Sequence, residues 1–148
     1  MLNQLQNNET LNNYLLNTLL KPRKELLIAY YKIIGFKPHQ EIFQAIDETA
    51  LILFCSHLLD YLSYGHFYLY RRLLENLKSP LSKSKKFFIA KIFFALQKNT
   101  QLIMKLYDIY LCVTINDDNY LHFQKALSEV GEALASRFIL EDKLINLT

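Results

Sequence analysis

Glycine and proline are scarce, three of each in 148 residues. A chain with so little turn chemistry cannot reverse direction as often as a many-stranded β fold requires. The three glycines, Gly35, Gly65 and Gly131, also exclude a Walker loop or a GxGxxG fingerprint, which need several glycines close together for backbone to approach phosphate. Cysteine is rarer still. Cys55 and Cys112 have no neighbour at CxxC distance and stand in apolar helical stretches, so the expectation is reduced, buried thiols. The histidines, His39, His57, His66 and His122, lack HExxH or HxxxH spacing, so neither a metal nor another cofactor is expected. No run approaches the roughly 18 uninterrupted apolar residues of a membrane span. Met1 to Thr10 is polar, without a basic segment leading into an apolar one, so a cytoplasmic location is expected. A net charge of +3, with its basic residues scattered, supplies no nucleic-acid-binding face.

What the chain does have is helix. Its hydrophobic content of 51% and charged content of 21% are those of a globular protein, and its length suits a single domain, residues 1–148. Leu11, Leu15 and Thr18 or Leu19 predict a short first helix over Glu9 to Leu20. Pro22 reads as a new start and Gly35 as the C′ residue of a helix over Arg23 to Ile34, with Pro38 marking the stop. A short segment near Glu41 to Ala45 precedes a firmer helix over Glu48 to Leu62. Ser63 and Gly65 weaken that helix, and Tyr64 to Leu77 either continue its axis or turn away. Ser79 to Ser84, with Pro80, reads as a loop. Lys85 to Ile115 form one long helix or two with a kink near Phe94, and Asn116 to Asn119 supply a turn and an N-cap for a last helix over Tyr120 to about Leu144. The expected fold is all-α, an antiparallel bundle of four main helical units plus a short N-terminal helix.

Three helical faces carry information about function. On the last helix Tyr120, Phe123, Leu127, Val130, Leu134, Phe138 and Ile145 form an apolar stripe that includes Arg137 and Glu141, one turn apart. These charges either pair, meet polar groups of a facing helix, or snorkel past the open end of the bundle. Over Glu48 to Leu62 the expected buried side is Leu51, Ile52, Cys55, Leu58, Leu59 and Leu62. Opposite lie Leu53, His57, Asp60 and Tyr64, extended by Phe67 and Arg71 if the helix is continuous. Such a row has the composition of a protein–protein hot spot rather than of a solvated face, unless the first helix or the loop near Pro80 covers it. Over Lys85 to Ile115 the expected core residues are Ile89, Ile92, Leu96, Ile103, Leu106, Tyr107 and Tyr110. Asn99 and Thr100 lie on or near that face and need hydrogen-bond partners, for which the ten tyrosines are candidates.

Catalytic chemistry is not written locally. Ser56, His57 and Asp60 share one helix without a nucleophile elbow or oxyanion donors, so no enzyme is expected. A phosphotransfer bundle using His57 or His66 is an alternative, although neither histidine has HxxKG-like surroundings.

Blocks spread through the chain resemble the Rsd/AlgQ regulators of sigma D: MLNQL at Met1, KELLIAYYKIIGFKP at Lys24 to Pro38, DYLSYGHF at Asp60 to Phe67, NTQLIM at Asn99 to Met104, and DDNYLHFQKALSEVGEALASRFILEDKLI at Asp117 to Ile145. The resemblance implies a helical anti-sigma factor that binds the primary sigma factor, chiefly its region 4, and keeps it from core RNA polymerase and promoter DNA. It implies sigma contact at Asp60 and Phe67, beside the row read from helical periodicity through Leu53, His57, Tyr64 and Arg71. It also implies, as an adaptor role, association with the phosphocarrier HPr and with an alarmone-metabolising enzyme. A DNA-binding sigma domain is basic, so local acids, Asp47, Glu48, Asp60 and Glu75, have to supply the complementarity.

Overall fold

Leu2–Ile34 form one helix, α1, which runs through Pro22 without a break. The separate N-terminal helix and the new start at Pro22 are therefore corrected to a single element. Proline removes one intrahelical hydrogen bond and crowds the preceding turn. Here Leu19 and Leu26 are fully buried, and Arg23 nearly so, on either side of the ring, so packing holds both halves on one axis. Gly35 ends the helix as expected, at φ +59°, with its N–H donating to the Tyr31 carbonyl at 3.0 Å; glycine occupies this left-handed position without penalty.

The computed structural model describes residues 2–35, 47–71 and 82–147, except for the side chains of 2–12, 15, 16 and 69. The expected stop at Pro38, the segment at 41–45, the helix end at Leu77 and residues 79–81 of the expected loop lie outside the described residues; Lys83 and Ser84, expected in that loop, are already helical. Helix α2, Glu48–Tyr64, is capped by Asp47, whose carboxylate accepts the Ala50 N–H at 3.2 Å. It passes directly into a π turn, Gly65–Leu69, closed by the Tyr70 N–H on the Gly65 carbonyl, and helical bonding continues to Arg71. Helix α3, Lys83–Leu106, is capped by the Ser82 hydroxyl on the Lys85 N–H and is uninterrupted at Phe94. It ends in a second π turn, Tyr107–Leu111, short of the expected Ile115. The turn at 116–119 is tied by the Asn119 side chain, which accepts from the Asn116 N–H and donates to the Thr114 carbonyl. Helix α4, Tyr120–Leu147, follows. There is no strand among the described residues, and no described helix is long and apolar enough to cross a membrane.

The helices pack antiparallel. Tyr30 of α1 meets Phe54 of α2 while Arg23, two turns earlier, meets Tyr61. Tyr30 donates to the Leu127 carbonyl of α4 while Arg23 reaches Asp142. Asn99 of α3 donates to the Ala133 carbonyl, and Tyr110 stacks on His122. Gly131 permits the α1–α4 approach, because a side chain there would collide with the Tyr30 hydroxyl.

The core joins Leu19, Leu26, Phe54, Leu58, Leu96, Ile103, Leu134 and Leu144. On α2 Leu58 and Leu62 are buried and Leu51 and Cys55 pack against the core, as expected; Phe54 and Tyr61 join the buried side, while Ile52, expected inside, is 69% exposed. The stripe of α4 is buried as expected, with Tyr120 and Phe138 at its partly buried margin. Both thiols are free; Cys55 is half-buried but Cys112, expected to be buried, is exposed beyond the second π turn.

Candidate functional site

Arg137 and Glu141 have no exposed surface at all. They pair along α4, with Arg137 Nε 3.7 Å from Glu141 Oε1, and they also meet polar groups of the other helices. Arg137 Nη1 donates to Thr100 Oγ1 at 2.8 Å and to Asn99 Oδ1 at 3.3 Å. Asn99 is therefore held by Arg137 and the α4 backbone, and Thr100 by Arg137 and the Leu96 carbonyl at 3.1 Å, rather than by tyrosines. On the far side of Glu141, Arg23 Nε donates to Tyr61 Oη at 3.1 Å, and the Tyr61 hydroxyl donates to Glu141 Oε1 at 2.7 Å. Arg23 also reaches Asp142 at 2.8 Å. Snorkelling is excluded for Arg137: the guanidinium lies wholly inside.

Burial sets the protonation preferences of this cluster. It raises the Glu141 carboxyl above the ordinary carboxylate range, while Arg137, Tyr61, Arg23 and Tyr70 pull in the opposite direction. It drives the Tyr61 hydroxyl far above the usual phenol range, reinforced by Glu141 and opposed by Arg23, so Tyr61 remains a donor. The cluster leaves Arg137 Nε and Nη2, Glu141 Oε2 and Tyr70 Oη without a hydrogen bond among the described residues. Gly65 borders it; a β-carbon there would come within 3.3 Å of both Arg137 Nη2 and Tyr70 Oη. These groups join all four helices and the first π turn, and the partners of Arg137 and Glu141 give them a positioning role within the fold.

The α2 row has a different character. Leu53, Asp60, Phe67 and Arg71 are exposed, Phe67 to 72%, whereas His57 and Tyr64 are partly buried. Asp60 has no hydrogen-bond or ion-pair partner among the described residues. Tyr64 stacks on Tyr68 with centroids 5.7 Å apart and planes 20° apart, and His66 meets Phe67 edge-on at 4.8 Å. Tyr68, 58% exposed, belongs to this surface and was missed. The π turn explains the omission: its extra residue puts Tyr70, five positions after Gly65, on the buried side and rotates the segment from Phe67 onward relative to the α2 row.

The α2 sequence carries Glu48 and Asp60 and no lysine or arginine, with Asp47 added at its cap. The helix that leads into the turn presenting Phe67 and Tyr68 is therefore net acidic, despite the basic balance of the whole chain. Among the described residues no group of three or more His, Cys, Asp or Glu is placed to hold a metal ion.

The whole chain, residues 1–148, matches the family model described as "Regulator of RNA polymerase sigma(70) subunit, Rsd/AlgQ". The chain belongs to the Rsd/AlgQ family. It is 47% identical to a regulator of sigma D of Pectobacterium carotovorum, over 99% of this chain and 97% of that protein. A regulator of sigma D from Sodalis glossinidius is 49% identical, covering 98% and 97% of the two chains. One from Shigella boydii is also 49% identical, covering 99% and 93%. Rsd/AlgQ membership accordingly extends over both the α2 surface and the buried cluster.

Proposed function

We propose that this protein is an anti-sigma factor that binds the primary sigma factor, mainly through region 4, and withholds it from core RNA polymerase. Family membership supports the regulatory role, and the feature that carries the location is the exposed pair of Asp60 on α2 and Phe67 on the π turn that follows it, anchored from behind by Tyr61 and Tyr70. Leu53, His57, Tyr64 and Arg71 complete the contact, with Tyr68 added. The mechanism is steric: an aromatic centre fills pockets on sigma while Asp47, Glu48 and Asp60 meet its basic surface. An interface of this kind buries roughly 1,200 to 2,000 Å², enough to occlude a competing surface.

Asp60→Ala and Phe67→Ala are each expected to weaken binding to isolated sigma region 4 by more than about 1 kcal/mol in titration calorimetry, with unchanged far-ultraviolet circular dichroism. Both positions are exposed, so the fold survives either change. Wild-type affinity in both variants would remove α2 as the sigma-binding face.

A further inference from the structure

Helix α3 has a composition opposite to that of α2. Between Lys83 and Leu106 it carries Lys83, Lys85, Lys86, Lys91, Lys98 and Lys105 and no acidic residue. It also exposes three large aromatic side chains: Phe87 at 60%, Phe88 at 54% and Phe94 at 59%. Exposed phenylalanines on a solvated helix expend hydrophobic free energy unless something covers them. Lysines shield two of them only in part, Lys91 over the Phe87 ring at 5.5 Å and Lys98 over the Phe94 ring at 4.8 Å.

Beside Phe88 and Phe94 lies a groove between α3 and α4 of about 710 Å³, floored by these two rings and by Ile92, Ala95, Leu140 and Leu147. The charged residues at its edges are Lys91 and Lys143, and Asn146 is neutral. The nearest acids on α4 are engaged elsewhere: Glu141 is fully buried in the polar cluster and Asp142 faces Arg23 of α1. An apolar floor between two cationic edges calls for an occupant that is apolar along one side and anionic along both flanks.

We infer that the α3–α4 groove docks an acidic amphipathic helix of a partner protein. Charge and shape together favour this occupant. A second copy of this chain, paired through the same face, would oppose lysine-rich helices and repel itself. A bilayer surface is flat on this scale and would leave the concave floor unfilled. Single-stranded nucleic acid would use the rings for stacking, but the floor offers aliphatic carbon where base edges need hydrogen-bond partners. From Phe88 to Ala95, both lining the groove, the helix advances about 10 Å, two turns, which matches the i to i+7 reach of the apolar anchors on a docked helix. The basic region 4 assigned above to the α2 face has the wrong charge for this groove, so the two surfaces serve different segments.

The test uses the full chain and two labelled helical peptides of about four turns, with identical leucine anchors at i, i+3 and i+7 and flanks of either glutamate or lysine. Fluorescence anisotropy should detect the glutamate peptide and not the lysine peptide. Phe94→Ser should weaken the glutamate peptide about tenfold or more. The double variant Lys91→Glu, Lys143→Glu should lose that peptide and gain the lysine peptide by a similar factor. Phe67→Ala, on the α2 surface, should leave both affinities unchanged and so separates this groove from the proposed sigma contact. Equal binding of the two peptides, no binding of the glutamate peptide, or indifference to the charge reversal overturns the inference. So does Phe94-dependent binding of phosphatidylglycerol vesicles or of a single-stranded oligonucleotide in place of the peptide.

Discussion

Arg137 and Glu141 place two charges where each forfeits several kcal/mol of hydration, and their mutual attraction recovers that only with additional partners. Thr100, Asn99, Tyr61 and Arg23 are those partners, one or more from each other long helix. The cluster thereby ties the phases of the four helices to one another. It also gives a pH signature. Because burial raises Glu141, the folded chain holds its proton more tightly than the unfolded chain. This favours folding fully below the ordinary value of 4.5, and the contribution is lost as pH rises through the elevated folded value. Relative to the non-titrating Glu141→Gln, wild type should therefore gain stability as pH falls toward the ordinary value of 4.5, measured as urea midpoints for both proteins. A difference that is flat, or that moves the other way, would show that Glu141 is not held above its ordinary range. The importance of these two residues was legible, since charges inside an apolar stripe demand an explanation. Arg23 and Tyr61 were not, because helical periodicity describes one helix and contains nothing about what a distant segment brings to it.

Among the elements, the α1–α4 contact rests on Gly131, where the Tyr30 hydroxyl lies against the α4 backbone and donates to Leu127. Gly131→Ala should cost about 1–3 kcal/mol in chemical denaturation despite alanine's higher helix propensity. In a Tyr30→Leu background the penalty should vanish; its persistence there would place the strain elsewhere. Element boundaries were read well where capping chemistry sits in the sequence, as at Gly35. Pro22 misled because proline favours a first turn, and only the burial of Leu19 and Leu26 outweighs that preference. On α2 Leu58 and Leu62 are buried as expected, but Leu51 through Cys55 are apolar without interruption, so periodicity alone cannot choose the exact phase between Ile52 and Phe54. Tyr61, bonded to Arg23 and Glu141, chooses it and turns Ile52 outward. The π turns had no local signature beyond Gly65, since an inserted residue is accommodated by packing rather than by propensity.

For the whole molecule, the all-α bundle was legible from scarce turns and sustained helical patterning, as was the family. Segregation of acid on α2 from lysine on α3 was hidden by a net charge that averages the two. Because the buried cluster draws on all four helices, the chain should unfold as one domain: tyrosine fluorescence and circular dichroism should give coincident urea transitions. Separate midpoints would indicate that α1–α2 and α3–α4 are independent units. The first π turn has a consequence for how such a protein can change. One inserted residue both seats Tyr70 against the interior and aims Phe67 and Tyr68 outward. Losing it would swing everything downstream by roughly 100°. Evolution therefore cannot retune recognition here by sliding the helix register without also dismantling the interior, which leaves side-chain replacement as the open route to altered partner choice.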